Sequence, residues 1–127
     1  MPYSLIWETQ GVYKKFTGRV TGEELVRSVN EVASDVRFSR AHYEVSDYLG
    51  ADDTDFSQDA LNEVRAIRIG SFSRNPKVRL AIVTLDEEIQ QRIFSTLAAQ
   101  LALQQTKIFS AVADANAWLG RELTEVV

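Results

Sequence analysis

The densest group of side chains that could do chemistry is a run of carboxylates and hydroxyls shortly before the middle of the chain. Its members are Asp52, Asp53, Thr54, Asp55, Ser57 and Asp59. Carboxylates at alternating positions open a calcium-binding loop, but that loop also needs a glycine and a bidentate glutamate. The sequence has Gln58 and Val64 at those positions. The run therefore predicts a solvated acidic surface, and we expect no metal ion and no cofactor.

Ser57 is the hydroxyl of this run that could carry a regulatory modification. Asp55 or Ser57 would cap the helix predicted to follow, by accepting hydrogen bonds from its free amides. A phosphate on Ser57 would lie in the positive field of that helix end and add nearly two negative charges. The alternative is that Ser57 is only a cap or an exposed serine.

The position of the run favours binding, because open α/β sheets bind ligands at the carboxyl ends of their strands. The candidate partner-binding or phosphorylation residues are Ser57, Asp55, Asp53, Asp52 and Asp47.

Residues for catalysis are scarce. The single histidine, His42, begins a predicted strand and is expected to be a surface or half-buried polar residue, and the chain has no cysteine. The glycines occur singly at predicted turns and helix ends, so no phosphate-binding loop is present. Asp47, Asp52, Asp53 and Asp55 form the sole plausible acid/base set, with no nucleophile beside them. We therefore predict a protein that is not an enzyme.

Size and charge narrow the class further. The chain has 127 residues and a net charge of −4, which predicts one domain over residues 1–127. A mildly acidic domain lacks the basic footprint of a nucleic-acid binder. The N-terminus lacks the basic start and long apolar run of a signal peptide, so we expect a cytoplasmic protein.

The elements that would position these residues follow from the spacing of apolar residues. A hairpin is predicted from Ser4–Thr9 and Val12–Arg19, and Thr21 with Glu24 forms a capping box that starts a helix ending near Asp35. His42–Tyr48 is predicted as the third strand, followed by a polar loop over Leu49–Asp55.

The second half of the chain alternates helices with strands. The predicted elements are a helix over Phe56–Phe72, a strand within Lys77–Leu85, a helix capped by Asp86, a strand over Lys107–Ser110 and a helix over Ala113–Leu119. Such alternation predicts mostly parallel pairing. The fold class is therefore α/β, with a mixed sheet of about five strands, an N-terminal antiparallel hairpin and four helices.

A group of basic residues follows the acidic run: Arg65, Arg68, Arg74, Lys77 and Arg79. Arg65 and Arg68 are expected on the outer face of the second helix, as part of a solvated surface. Docking of an acidic partner or a membrane surface is the alternative. No aromatic residues interleave with these cations as in proteins that bind single-stranded nucleic acid.

The order of several segments resembles the SpoIIAA-like family, relatives of the STAS domain of anti-sigma-factor antagonists. The segments are residues 11–13 (GVY), 18–24 (GRVTGEE), 43–47 (YEVSD), 78–83 (VRLAIV), 108–109 (IF) and 117–119 (AWL). The resemblance implies an α/β fold that binds protein partners, in some members switched by phosphorylation of a serine at the start of the second helix. The family motif Asp-Ser-Ser-Gly-Leu corresponds here to residues 55–61, where Asp55 and Ser57 match but Phe56 replaces a serine and the glycine is missing.

The function predicted is a cytoplasmic protein-interaction module that contacts its partner through residues 52–59 and the second helix. A charge on Ser57 would weaken docking by like-charge repulsion or by burial of an unmatched phosphate. The alternative is a module for a small apolar ligand or a lipid, because residues 93–103 of the third helix are apolar well round its circumference. Burial of that helix, or its use in a homodimer, would account for the same pattern.

Overall fold

The computed structural model describes residues 2–98 and 105–121. The strands are β1 (Tyr3–Trp7), β2 (Gly11–Thr21), β3 (Tyr43–Asp55), β4 (Arg79–Val83) and β5 (Thr106–Phe109). The helices are α1 (Gly22–Ser34), α2 (Gln58–Arg74), α3 (Glu87–Ala98) and α4 (Val112–Leu119), and a 3₁₀ helix spans Val36–Arg40 between α1 and β3. No helix in these two ranges is long and apolar enough to cross a membrane.

The strands form one sheet in the order β1-β2-β3-β4-β5. β1 pairs antiparallel with β2, and the remaining neighbours are parallel. The mixed sheet of five strands with an N-terminal hairpin and four helices is therefore confirmed.

The polar loop predicted over Leu49–Asp55 is wrong, because these residues continue β3. Thr17 lies opposite Gly50 and Thr21 lies opposite Asp55, and the register of the pairing between β2 and β3 shifts once before Thr17 and once after Gly18. β4 pairs with β3 only as far as Asp47, so the second half of β3 has β2 alone as a neighbour. Backbone pairing with β2 and the ion pairs of Arg19 with Asp53 and Asp55 maintain this segment, whose side chains are exposed or half-buried. A period-two apolar pattern could not reveal such a strand.

Each face of the sheet has its own core. The larger one contains Val12, Phe16, Val20, Leu25, Val29, Val32, Leu61, Phe72, Leu80, Ile82 and Ile89, from the sheet and from α1, α2 and α3. The smaller one contains Tyr43, Val45, Ala81, Val83 and Ala115, with Trp118 and Leu119 of α4 against it. Ile89, Trp118 and Leu119 thus pack α3 and α4 against the two faces of the sheet. Apart from Ser95, the side chains of residues 93–103 fall outside the described part of the structure, so the ligand alternative based on this stretch stays a prediction.

The helix ends confirm the capping chemistry. The Thr21 hydroxyl accepts from the Glu24 amide while the Glu24 carboxylate accepts from the Thr21 amide, as the capping box predicts. The Asp86 carboxylate accepts from the Glu88 amide at the start of α3. Gly120 ends α4 in a left-handed conformation with a φ of 66°, which glycine adopts without strain.

Candidate functional site: the acidic end of the sheet

The carboxyl ends of β2 and β3 place two helix starts side by side. Thr21 ends β2 and caps α1, while Asp55, its register partner, ends β3. Phe56 then buries its ring edge-on against Tyr48, which directs the chain into α2. The short links from strand to helix therefore fix both helix N-termini at the same edge of the sheet.

A groove of about 630 Å³ opens between the starts of α1 and α2. Its lining includes Thr21, Gly22, Arg27, Asp55, Ser57 and Asp59. The two helices approach closely beneath it, because a Cβ atom built on Gly22 would lie 2.6 Å from the Ala60 Cβ atom. Glycine at position 22 and alanine at position 60 thus determine how near the helices come. We call this depression the helix-start groove.

The helix-start groove is acidic. Its lining holds four carboxylates, those of Glu23, Asp55, Asp59 and Glu63, against the single cation of Arg27. Helix N-termini attract negative charge, which makes this density tolerable. The groove therefore presents negative charge to any partner.

Ser57 is the residue that caps α2. Its side chain is exposed, and its Oγ atom accepts a hydrogen bond from the Ala60 amide at 3.1 Å. Asp55, the other candidate cap, instead accepts from Arg19 at 3.0 Å. Ser57 thus stands in the wall of the helix-start groove with its hydroxyl at the start of the second helix, where the resemblance placed the modified serine.

Asp52 and Asp53 line a second, smaller depression on the other side of β3. This crevice of about 330 Å³ lies between the end of β3 and the start of α3. Leu49 and Leu85 line it and are 43% and 72% exposed, and Asp86 adds a third carboxylate. The predicted acidic run is therefore divided between two depressions. The helix-start groove is acidic, whereas the crevice beside α3 is lined by both apolar and acidic side chains.

Asp47 does not join the other candidates. It is buried midway along β3, where it accepts hydrogen bonds from the Tyr13 hydroxyl and, at 2.9 Å, from the Leu49 amide. Burial and the bond to Asp47 raise the pKa of the Tyr13 hydroxyl. Asp47 therefore has a structural role, and the plausible acid/base set is not brought together.

Within residues 2–98 and 105–121, no group of three or more acidic or histidine side chains could hold a metal ion.

The outward position predicted for Arg68 is wrong. The Arg68 side chain turns inward and donates two hydrogen bonds to the Glu44 carboxylate, at 2.7 and 2.9 Å. The Lys14 ammonium lies 3.2 Å from the same carboxylate and donates to the Ser28 hydroxyl at 3.3 Å. A buried charged cluster of Lys14, Glu44 and Arg68 thus joins β2, β3 and α2.

Protonation within the buried charged cluster follows from its geometry. Burial raises the pKa of Glu44, but Arg68 and Lys14 outweigh burial and bring the pKa to about 2. Burial lowers the pKa of Lys14 to about 8, although Glu44 partly opposes this shift. One carboxylate therefore compensates two cations in the interior.

Sequence reasoning did not identify this cluster, although a signal was present. Lys14 lies between Val12 and Phe16 on the inward face of β2, and Glu44 lies between the apolar residues Tyr43 and Val45. Opposite charges at inward positions of neighbouring strands would have predicted a buried ion pair.

Two solved structures share this architecture. The first is that of the anti-sigma factor antagonist SpoIIAA in its unphosphorylated form, with a TM-score of 0.62 and 7% identity over 95% of this chain and 99% of that one. The second is an uncharacterized protein of the DUF3478 family with a SpoIIAA-like fold from Shewanella loihica PV-4, with a TM-score of 0.53 and 15% identity over 92% and 91% of the two chains. No family model and no curated protein matches the sequence. The chain therefore has a SpoIIAA-like fold, as the resemblance implied.

Proposed function

We propose that this chain is a non-enzymatic, cytoplasmic protein-interaction module, one domain over residues 1–127, which contacts its partner at the acidic end of the sheet. The observation that carries the proposal is the helix-start groove. Its carboxylates exceed its cations by three, and they line an open depression rather than a closed pocket. Such a surface is suited to docking, because solvated charges steer a partner of opposite charge.

The partner is expected to present basic side chains. Arg19, which pairs with Asp53 and Asp55 across the end of the sheet, shows how a guanidinium engages this edge. The likeness to SpoIIAA supports a protein as the partner, since that protein is named for antagonising an anti-sigma factor.

Ser57 is the proposed point of control. An acidic partner would be repelled by a phosphate at this position, and any partner that buried the phosphate without a matching cation would bind less well. A basic partner would instead be attracted by the added charge. The sign of the effect at Ser57 therefore reports the chemistry of the partner.

Affinity capture with four baits tests the proposal. The baits are the wild type, Ser57→Asp, Ser57→Asn and the double variant Asp55→Asn with Asp59→Asn. Asparagine at position 57 preserves the cap without charge, so the difference between the Asp and Asn baits isolates charge from capping. A basic partner held by the wild type should be lost from the double variant, and Ser57→Asp should retain it more strongly than Ser57→Asn does.

The matched control is Glu87→Gln with Glu88→Gln, which removes the same charge from exposed residues at the start of α3. Equal loss from this control and from the groove variant would show that only net charge matters and would refute the groove as the contact. Equal capture of the partner by Ser57→Asp and Ser57→Asn would be consistent with the proposed interaction but would exclude Ser57 as its switch.

A small apolar ligand is the second candidate function, and the crevice beside Leu49 and Leu85 favours it. Its volume of about 330 Å³ lies at the lower end of the range for ligand pockets. An apolar fluorophore whose emission rises with the wild type but not with Leu49→Asn would support this function. Unchanged emission with both proteins would exclude it.

A further inference from the structure

The edge of the sheet opposite the acidic end carries the reverse charge. Cations surround the amino ends of β3, β4 and β5, on the 3₁₀ helix, the end of α2 and the starts of the strands. They are Arg37, Arg40, Arg74, Lys77, Arg79 and Lys107. We call this surface the basic end.

Hydrogen bonds join the segments of the basic end into one surface. The Arg74 guanidinium donates to the Ala33 carbonyl at 2.9 Å, which links the ends of α2 and α1. The buried Asn75 amide donates at 2.8 Å to the carbonyls of Phe38 and Ala41, which links α2 to the 3₁₀ helix. The Arg79 amide donates to the His42 carbonyl at 3.1 Å. The cations therefore lie on a rigid frame.

Most of this charge is not neutralised locally. Arg37 pairs with Asp35 at 2.8 Å. Within residues 2–98 and 105–121, Arg40, Lys77 and Lys107 form no ion pair, and all three side chains are exposed. The basic end thus presents several long cations to solvent.

An apolar side chain projects among these cations. Val36 begins the 3₁₀ helix that carries Arg37 and Arg40, and it is 80% exposed. It has the highest exposure of the large hydrophobic side chains among the described residues. Cations around an exposed apolar residue are the features by which proteins bind the interface of an anionic bilayer.

The aromatic residues near this end argue against single-stranded nucleic acid, which needs free rings for base stacking. The Arg37 guanidinium lies over the Trp7 ring at 4.5 Å from its centroid. Arg79 and Lys107 lie 4.1 and 5.5 Å from the centroid of the Trp118 ring. Cations already engage both rings.

We propose that the basic end binds the surface of an anionic lipid bilayer, with Val36 entering the interface and Arg40, Lys77 and Lys107 contacting the headgroups. β3 runs from this edge to the acidic end, a distance of about 40 Å for a strand of its length. The Debye length in physiological salt is about 8 Å, so repulsion between the acidic end and the bilayer is screened. The membrane-bound protein would direct the helix-start groove toward the solution.

Vesicle sedimentation tests the proposal with phosphatidylcholine vesicles that contain or lack phosphatidylserine. The wild type should bind the anionic vesicles, and its binding should weaken as the salt concentration rises. It should not bind the neutral vesicles. Arg40→Gln with Lys77→Gln should weaken binding about 25-fold, at about fivefold for each cation near the surface. The single variant Val36→Asn should also weaken binding to anionic vesicles, but it should leave the salt dependence of binding unchanged.

The matched control is Lys15→Gln with Arg65→Gln, which removes the same charge from cations that belong neither to the basic end nor to the lining of the helix-start groove. This control should bind anionic vesicles as the wild type does, and an equal loss would overturn the proposal. So would binding of polyglutamate or single-stranded RNA without binding of vesicles, since the ligand would then be a flexible polyanion. Capture at the helix-start groove is measured without lipid, so the failure of either proposal leaves the other standing.

Discussion

Two ion-pair clusters bridge β2 and β3 in different surroundings. Near the amino end of β3, Glu44 joins Lys14 and Arg68, and all three side chains are at most 8% exposed. Near its carboxyl end, Arg19 joins Asp53 and Asp55 at similar distances, but these side chains are 58 to 66% exposed. Both clusters pair a cation of β2 with carboxylates of β3, and Arg68 of α2 joins the first, but one cluster is buried and the other is exposed to solvent.

The two clusters differ in how much stability is lost when one charge of a pair is removed. An exposed charge that loses its partner is solvated again, and such pairs contribute about 0–1 kcal/mol. A buried charge that loses its partner remains in a medium that solvates it poorly. The buried charged cluster therefore constrains how α2 sits on the sheet, whereas the Arg19 pairs leave the acidic end free to bind.

Glu44→Gln should give the largest effect. The change leaves the Arg68 and Lys14 cations buried without an anion, so the free energy of unfolding should fall by about 3–5 kcal/mol. Urea denaturation measures it. Adding Lys14→Met should restore part of the loss, because one uncompensated cation is then removed. A fall below 1 kcal/mol in the single variant would show that water reaches the cluster.

Lys14 should make stability rise with pH. Its pKa is about 8 in the folded protein and about 10.4 in an unfolded chain, so the unfolded state binds more protons between these values. The free energy of unfolding should therefore increase by about 2 kcal/mol between pH 7 and 9.5. Above pH 10 the trend reverses, because burial and carboxylate partners raise the pKa of Tyr3 and Tyr43 to about 12.

Denaturation across that pH range compares the wild type with Lys14→Met, which should show no rise. Lys15→Met removes the next lysine along β2, which is exposed, and should keep the rise. A rise that persists in Lys14→Met would assign the titration to another group.

Arg19→Gln should give the smallest effect. Because the pairs with Asp53 and Asp55 are exposed, the free energy of unfolding should fall by at most about 1 kcal/mol, and less at high salt. Thermal denaturation at two salt concentrations checks this. A salt-independent loss comparable to that of Glu44→Gln would mean that the two clusters do not differ as described.

Much of the fold could be predicted from the sequence because local rules and tertiary packing agree. The capping box at Thr21 with Glu24 and the helix cap at Asp86 each have a local cause. The second half of β3 was missed because pairing with β2 maintains it, and residues 49–55 are mostly polar with no alternating apolar pattern.

The candidate site was predicted in part. A helix cap at Asp55 or Ser57 followed from residue type and position, and the structure selects Ser57. The division of the acidic run between two depressions depends on the neighbours that α1 and α3 supply, which lie far away in the sequence. Arg68 was misplaced because an isolated arginine on a helix is usually solvated, and only the three-dimensional position of Glu44 explains its burial.

The contact between Gly22 and Ala60 restricts which sequences can adopt this helix pair. A side chain at position 22 would force the two helix starts apart, since its Cβ atom would lie only 2.6 Å from the Ala60 Cβ atom, and a larger side chain at position 60 would fill the space that Gly22 leaves open. Glycine directly after the first cap, together with alanine three residues after the second, is therefore a two-position signature. At 7 to 15% identity, where alignments carry little information, that signature offers a way to recognise other chains with the same groove.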